Sequence, residues 1–316
     1  MDNSSDILNL TKISVLIPCY EQSRFLPEAL DSVLHQDFQD LEVIASDDAS
    51  SDNTFSILQD YAVRDSRIRI FRQSTNLGMV ENWNFCLWQA RGEAVKLMGG
   101  DDRLDRTDCL SRQWQSLQNP GVALAASARS IIDESSSNIE TFTNLPFGVF
   151  SQDEIIPKML EHQDNLIGEP VCCLFHRRHA TRGFHPDYLQ NTDIEMWFHI
   201  LRFGSLAYDP EPLLAFRRHP NQNTNIHNRS GLSLKEHRFL MLQEAKDPRV
   251  SLTMKFRVLR QARDMLRYAP SEKAASAVAD LEKVIGPVML SLSRICYEIQ
   301  RTLKQWSRSI GKRLRC

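Results

Sequence analysis

The first hundred residues switch repeatedly between two hydrophobic periods. Ile13-Ser14-Val15-Leu16-Ile17 is a short apolar run closed by Pro18 and reads as a buried strand. Leu26, Leu30, Val33 and Leu34 recur at helical spacing and predict a helix over 26–36. Residues 41–45 read as the next strand and 53–63 as the next helix. The alternating stretch 67–71 reads as a strand with one buried face, 79–90 as a helix and 94–98 as a fourth strand. Strand and helix alternating at this pitch predict βαβ units and a parallel sheet. Right-handed crossovers then bring the carboxyl end of every such strand to one edge, where ligands bind.

Beyond residue 100 the pattern loosens. Residues 122–128 and 171–175 read as strands, and 133–150, rich in Ser, Asn and Thr, as a loop. A helix is predicted over 193–203 and a short strand over 213–216. Residues 218–231 are polar without a period and read as a loop, and from 233 onward only helical patterns occur. The expectation is an α/β domain over 1–232 and a helical extension over 233–316, with no internal repeat.

Composition narrows the class. With 316 residues, 42% apolar and 25% charged, the chain is of ordinary globular type, which excludes global disorder and fibrous rods. A core of that size needs no disulfide or zinc staple. The net charge of −2 excludes a general polyanion binder. It hides an asymmetry, because residues 291–316 carry a local charge of +6. The acidic start MDNSSDILNL predicts no signal peptide, and no apolar run reaches the roughly 18 residues a bilayer crossing needs. Seven cysteines, an odd number, predict reduced thiols and a cytoplasmic setting; Cys172-Cys173 is not a metal spacing.

Each strand end in the first hundred residues delivers polar groups to the ligand edge. They are Pro18-Cys19-Tyr20-Glu21, then Asp47-Asp48-Ala49-Ser50, then Asn76-Leu77-Gly78, then Gly99-Gly100-Asp101-Asp102. No GxGxxG follows a strand, so this is not a dinucleotide site. Carboxylates that face a diphosphate require a cation between them, and Mg²⁺ or Mn²⁺ bridges such oxygens. Gly99 and Gly100 allow close approach of a ligand.

The segments ISVLIPCYEQSRFLPEALDSVLHQ, LEVIASDDASSDNT, NLGMVENWN and KLMGGDDRL, in this order, resemble family 2 glycosyltransferases of the GT-A fold, as do GFHPDYLQNTDIEMW and FRRHPNQNT further on. The resemblance covers about residues 11–225. It implies a Rossmann-like, mainly parallel mixed sheet flanked by helices, followed here by a helical C-terminal extension. It also implies an inverting, hexosyl-transferring enzyme. Asp48 matches the acid that binds the nucleobase or ribose. Pro18 and Tyr20 match the first nucleotide-contacting loop, which Glu21 continues, and Asp47, Asn76 and Gly78 complete the nucleotide-sugar edge. Asp101 and Asp102 match the metal-binding acids, with Gly99 where a further Asp is often found. Asp193 matches the general base, with Thr192 where the family usually has Glu, and Glu195 fills a recurring acidic position. Arg217 and His219 match the loop that closes over the diphosphate. Transfer by single displacement needs one base and one divalent metal, and a double displacement would need a second carboxylate as nucleophile.

Plainer readings stand beside these. Asp47 and Asp48 also suit a turn before a helix, Asp101 and Asp102 a solvated turn, and Asp193 a helix-opening acid. The implied activity is transfer from a nucleotide-sugar, with UDP the expected nucleotide, to a glycan or lipid-linked acceptor in bacterial surface-polysaccharide assembly. The alternative is a nucleotide-sugar-binding or scaffold subunit with a degenerate site, which Gly99 and Thr192 would explain. A nucleotidyltransferase would need a basic Gly-rich loop after the first strand, and PCYEQSRF is not one. In the tail, Leu292, Ile295, Ile299, Leu303, Trp306, Ile310 and Leu314 line one helical face and basic residues the other. That stripe either packs on the domain or lies on an anionic membrane surface, the inner face of the cell membrane; nucleic acid is not an expected partner.

Overall fold

The computed structural model describes residues 11–162, 164–220, 222, 232–268, 272–287 and 289–290. The alternation of periods in the first hundred residues produces β1 (Ile13–Cys19), α1 (Leu26–Leu34), β2 (Leu41–Asp47), α2 (Thr54–Arg64), β3 (Ile68–Arg72), α3 (Met79–Gln89) and β4 (Ala94–Leu97). Every residue of β1, β2 and β4 is buried, as expected for parallel strands covered on both faces. The strands pair in parallel as β3-β2-β1-β4.

The chain continues through α4 (Cys109–Leu117), β5 (Val122–Ile132), β6 (Asn138–Phe142), β7 (Gly148–Phe150), α5 (Gln152–His162), β8 (Cys173–His176), α6 (Thr192–Ile200) and β9 (Ser205–Arg217). The sheet, nine-stranded among the described residues, runs β3-β2-β1-β4-β8-β5-β9-β7, with β6 paired to β5. β8 is antiparallel to both β4 and β5, and β9 is parallel to β5. Two antiparallel steps thus return β5 and β9 to the direction of β1–β4, so their carboxyl ends reach the same edge of the sheet. β8 runs the other way, so its amino end and the loop before it reach that edge too.

Four differences from the sequence pattern have local causes. The stretch 133–150, expected to be a loop, holds β6 and β7, which pair to β5 and β9 through their backbones. β6 is almost wholly exposed, so no buried face leaves an apolar alternation to read. β9 is 13 residues long instead of four, because its Pro210 and Pro212 fall where the register with β5 shifts, a bulge that tolerates proline. α5 contains Pro157, and the helical pattern there goes unread. Residues 170–172 form a 3₁₀ turn, so β8 starts at Cys173.

The described residues fall into two compact units, one of residues up to 159 with 164–233, the other of 160–162 with those from 234 onward. The second contains α7 (Leu232–Glu244), α8 (Leu252–Tyr268) and α9 (Glu272–Ile285), apart from the first residues of α7. It buries Leu240, Met241, Leu259, Ala262, Leu281 and Ile285. The basic stripe of residues 291–316 lies outside the described residues. No helix among the described residues is long and apolar enough to cross a membrane. Cys19, Cys86, Cys109, Cys172 and Cys173 are free and buried, and burial pushes each thiol above its ordinary pKa.

Candidate active site

The loops at the shared edge begin with residues after β1 and β2. Tyr20 is 52% exposed just beyond the buried Pro18. Glu21 has a φ of +54° and Ala49 of +60°. Left-handed backbone at two non-glycine residues in facing loops is stored strain of the kind found where ligands are gripped. The loops are stitched together by Ser51, whose N and Oγ both donate to Glu21 Oε1 at 2.8 Å, and by Glu21 N donating to Ser50 Oγ at 2.9 Å.

Asp47 is fully buried, accepts from Ser50 N at 3.2 Å and lies 3.3 Å from Arg72 Nε. Asp48 is 2% exposed and spends both oxygens on the next loop, Oδ1 accepting from Leu77 N at 2.7 Å and Oδ2 from Gly78 N at 2.9 Å. Burial raises its pKa, and those two N–H donors hold the rise down. Gly78 has a φ of +88°, which fixes the turn beside the exposed Asn76.

The turn after β4 carries the other acids. Asp102 is 5% exposed, with Oδ1 accepting from Arg217 N at 3.1 Å and Oδ2 from Gly99 N at 3.3 Å. Burial first, and then the charge of Asp101, push its pKa well up. Asp101 stands in the same turn with its side chain 12% exposed. Its Oδ2 lies 3.0 Å from His219 Nε2 and accepts from Gln222 Nε2 at 3.4 Å, while Oδ1 accepts from Gln22 Nε2 at 3.4 Å. A Cβ on Gly99 would collide with Asp101 Oδ1, and one on Gly100 with Gln22 Oε1. Gln22 Oε1 is itself buried without a hydrogen-bond partner.

This donor set suits a hard divalent cation. It offers carboxylate oxygen, an orphaned amide oxygen and an imidazole nitrogen close together, with Gly99 and Gly100 making room for the Asp101 and Gln22 side chains. Among the described residues no three His, Cys, Asp or Glu side chains form a complete cage. Mg²⁺-type sites are built that way, with one or two carboxylates and the substrate's phosphates completing the shell.

Arg217 and His219 part company. The Arg217 side chain is 1% exposed, and its guanidinium faces inward. It donates to Asp101 O at 2.7 Å, Asp133 O at 2.8 Å, Ser136 Oγ at 3.0 Å and Glu28 Oε2 at 2.6 Å, and lies over the Phe25 ring at 4.6 Å. Glu28 also pairs with Arg103. Burial pushes the Glu28 pKa up, but hydrogen bonds from Arg103 and Ser136 and the charge of Arg217 more than reverse this. Arg217 therefore ties the acidic turn to α1 and to the 133–136 turn, and only His219 of the two meets the Asp101 carboxylate.

Asp193 and Glu195 stand in the first turn of α6. Residues two apart on a helix point to different sides. Glu195 is engaged by Arg182, whose Nη2 lies 2.9 and 2.8 Å from its two oxygens. Asp193 keeps partial exposure but is crowded by protein, and this desolvation raises its pKa to about 7. Glu169 adds to the rise, while backbone N–H donors and Arg129 oppose it. The charge of Glu169 reaches Asp102 as well. Glu169 itself pairs with Arg129 on β5.

Sequence reading missed Gln22, Glu28, Arg129, Asn165 and Glu169. For Asn165 and Glu169 the only trace is the turn-like Gly168-Glu169-Pro170 in a stretch with no clear period.

The profile of the family described as Glycosyl transferase family 2 matches residues 14–184. An uncharacterized glycosyltransferase of Haemophilus influenzae (strain ATCC 51907 / DSM 11121 / KW20 / Rd) is 26% identical over 231 residues, 70% of this chain and 69% of the relative. The structure of Staphylococcus aureus TarS 1–349 in complex with UDP superposes with a TM-score of 0.59 at 16% identity, covering 83% of this chain and 73% of that one. The mannosyltransferase PcManGT from Pyrobaculum calidifontis, in complex with GDP-Man and Mn²⁺, gives 0.56 at 18% identity, covering 93% and 82%.

Proposed function

This chain belongs to glycosyl transferase family 2, and from that membership we propose that it moves a sugar from a UDP-sugar to a hydroxyl of a glycan or lipid-linked acceptor, inverting the anomeric carbon with the help of a divalent cation. One observation carries the reading. Asp48 and Asp102 stand just beyond the carboxyl ends of β2 and β4 on either side of β1, and the loop before β8, whose Asn165 binds Asp193, reaches the same edge of the sheet.

In this reading the loop of Pro18, Tyr20 and Glu21 receives the nucleoside, with the exposed Tyr20 ring as the stacking surface. Asp47 and Asp48 shape the facing wall, Asp48 by holding the Asn76–Gly78 loop through its backbone. UDP is the nucleotide to test first, because TarS, which shares the fold, was solved with it. Asp101 and Asp102 would hold the cation, with His219 and Gln22 beside Asp101. Bound there, Mn²⁺ or Mg²⁺ would neutralise charge on the departing diphosphate. Arg217 keeps the acidic turn in place.

Asp193 is the proposed base. The acceptor oxygen bonds to the anomeric carbon as the bond from that carbon to the diphosphate oxygen breaks. The bond electrons leave with the diphosphate, and the acceptor proton passes to the Asp193 carboxylate. A carboxylate with a pKa raised to about 7 suits that task, because it is still ionised near neutral pH yet basic enough to take the proton. Glu195, committed to Arg182, supports α6. The setting proposed is the inner face of the cell membrane.

The test is release of UDP from a panel of UDP-sugars with and without Mn²⁺, with glycan and lipid-linked acceptors supplied. Acceptor-dependent release that requires the metal and is abolished in Asp193→Asn is expected. Equal release in Asp193→Asn would remove Asp193 from its role, and release indifferent to metal would remove the cation.

A further inference from the structure

The loop that precedes β8 is fastened to α6 at two points. Asn165 Nδ2 donates to Asp193 Oδ2 at 3.1 Å and to Gly168 O at 3.0 Å. Asn165 Oδ1 accepts from Ile167 N at 3.2 Å and Gly168 N at 3.0 Å. Donors and acceptor of the amide are all engaged, so the group cannot rotate without breaking several bonds. Gly168 O also accepts from Trp197 Nε1 at 3.0 Å, four residues along α6 from Asp193. The loop closes this tightly only because position 168 is glycine. Its φ is +111°, and a Cβ there would lie 2.7 Å from Cys172 Sγ.

Glu169 follows directly. Its carboxylate pairs with Arg129, whose side chain is 9% exposed, while Glu169 keeps 27%. The charged and titratable groups that act on Asp193 from the surrounding elements include Glu169 from this loop, Arg129 from β5 and the buried thiol of Cys173 on β8. By contrast, Thr192, next to Asp193, is 1% exposed and its hydroxyl has no hydrogen-bond partner.

We propose that Asn165 is the positioning residue of Asp193: its rigidly held amide fixes one carboxylate oxygen, and with it the direction in which the other meets the acceptor hydroxyl, while the Glu169–Arg129 pair sets the charge around it. This rests on the reading of Asp193 as the base. An N–H donor to a carboxylate favours the ionised form, and a neighbouring carboxylate disfavours it. Removing Asn165 and neutralising Glu169 should therefore move the ionisation of Asp193 in opposite directions, which general damage to the loop would not do.

The experiment follows the carboxyl ¹³C signal of Asp193 against pH in the full chain labelled at aspartate, assigned by its loss in Asp193→Asn. Turnover of a UDP-sugar is measured on the same samples. Asn165→Leu should raise the Asp193 midpoint by about one pH unit. It should lower kcat by about 10–100-fold, the range for loss of an orienting partner, with the donor KM within twofold. The acidic limb of the rate profile should move with the midpoint. Glu169→Gln should lower the midpoint. Should Asn165→Leu fail to fold, Asn165→Asp keeps the acceptor for the Ile167 and Gly168 N–H groups and must raise the midpoint. A midpoint unchanged in a folded Asn165 variant overturns the proposal. A midpoint that moves as stated while Asp193→Asn stays active leaves Asn165 in its place and overturns the base assignment instead.

Discussion

The acids at the strand ends of the first hundred residues and the acid on α6 are held by different means. Asp48 and Asp102 turn both their oxygens to backbone N–H groups, of Leu77 and Gly78 in one case and of Gly99 and Arg217 in the other. Asp193 accepts backbone N–H groups only from the start of its own helix, and is anchored from another segment by the side chain of Asn165. A carboxylate that organises backbone is part of the fold, and altering it disturbs the loops it holds. A carboxylate steadied by a side chain can change chemically while the backbone stays. Changes in the first region should register in stability and donor binding, and changes at α6 in turnover.

The largest effect that tests this contrast is expected for Asp193→Asn. Its kcat should fall by about 10²–10⁴-fold, with calorimetric affinity for UDP unchanged and the melting temperature not lowered. A parallel loss of UDP affinity would erase the contrast. The pH dependence belongs to the same group. Between its ordinary value of 3.8 and about 7, the folded protein holds a proton on Asp193 that the unfolded chain has lost. This group's contribution to stability is therefore full at low pH and declines as pH rises to about 7, while kcat climbs over the upper part of that interval. Melting curves and rate profiles across that range should show opposite trends; in Asp193→Asn the rate trend should vanish and the stability trend should flatten.

Next in size is Arg217→Met. It strips Glu28, Ser136 and two backbone carbonyls of a buried cation and should cost about 3–5 kcal/mol in urea unfolding. Full stability in that variant would mean that the acidic turn does not depend on Arg217. Asp48→Asn places an amide NH₂ against a backbone N–H and loses a charged acceptor. It should cost about 1.5–3 kcal/mol and raise the donor KM more than it lowers kcat. The smallest effect is expected for Glu195→Gln, whose pair with Arg182 is partly solvated and worth about 0–1 kcal/mol. Activity should stay within twofold, and a loss as large as that of Asp193→Asn would show that α6 carries two working acids.

How far the sequence could be read followed from the range of the forces involved. β1 to β4 and their helices were legible within a residue or two, because each is buried on a regular period and each crossover is local. β6 and β7 were not, since strands paired by backbone alone at an exposed margin leave no alternation. Asp48, Asp101 and Asp102 stood out as acids at strand ends. Whether they face ligand or backbone was not readable, because the same residues make good turns. Arg217 and His219, two apart in a polar run, gave no sign that one points into the protein and the other toward Asp101.

By itself, the order of apolar and polar residues determined a sheet whose strand ends gather acids on one edge, because hydrophobic period and crossover handedness are properties of short stretches of chain. Only the tertiary structure decided that β8 enters the sheet reversed. That reversal delivers Asn165 and Glu169 to the same edge and to Asp193, 28 and 24 residues further along the chain. Such contacts depend on strand direction and on the desolvation of groups distant in sequence, and neither leaves a mark in a local pattern.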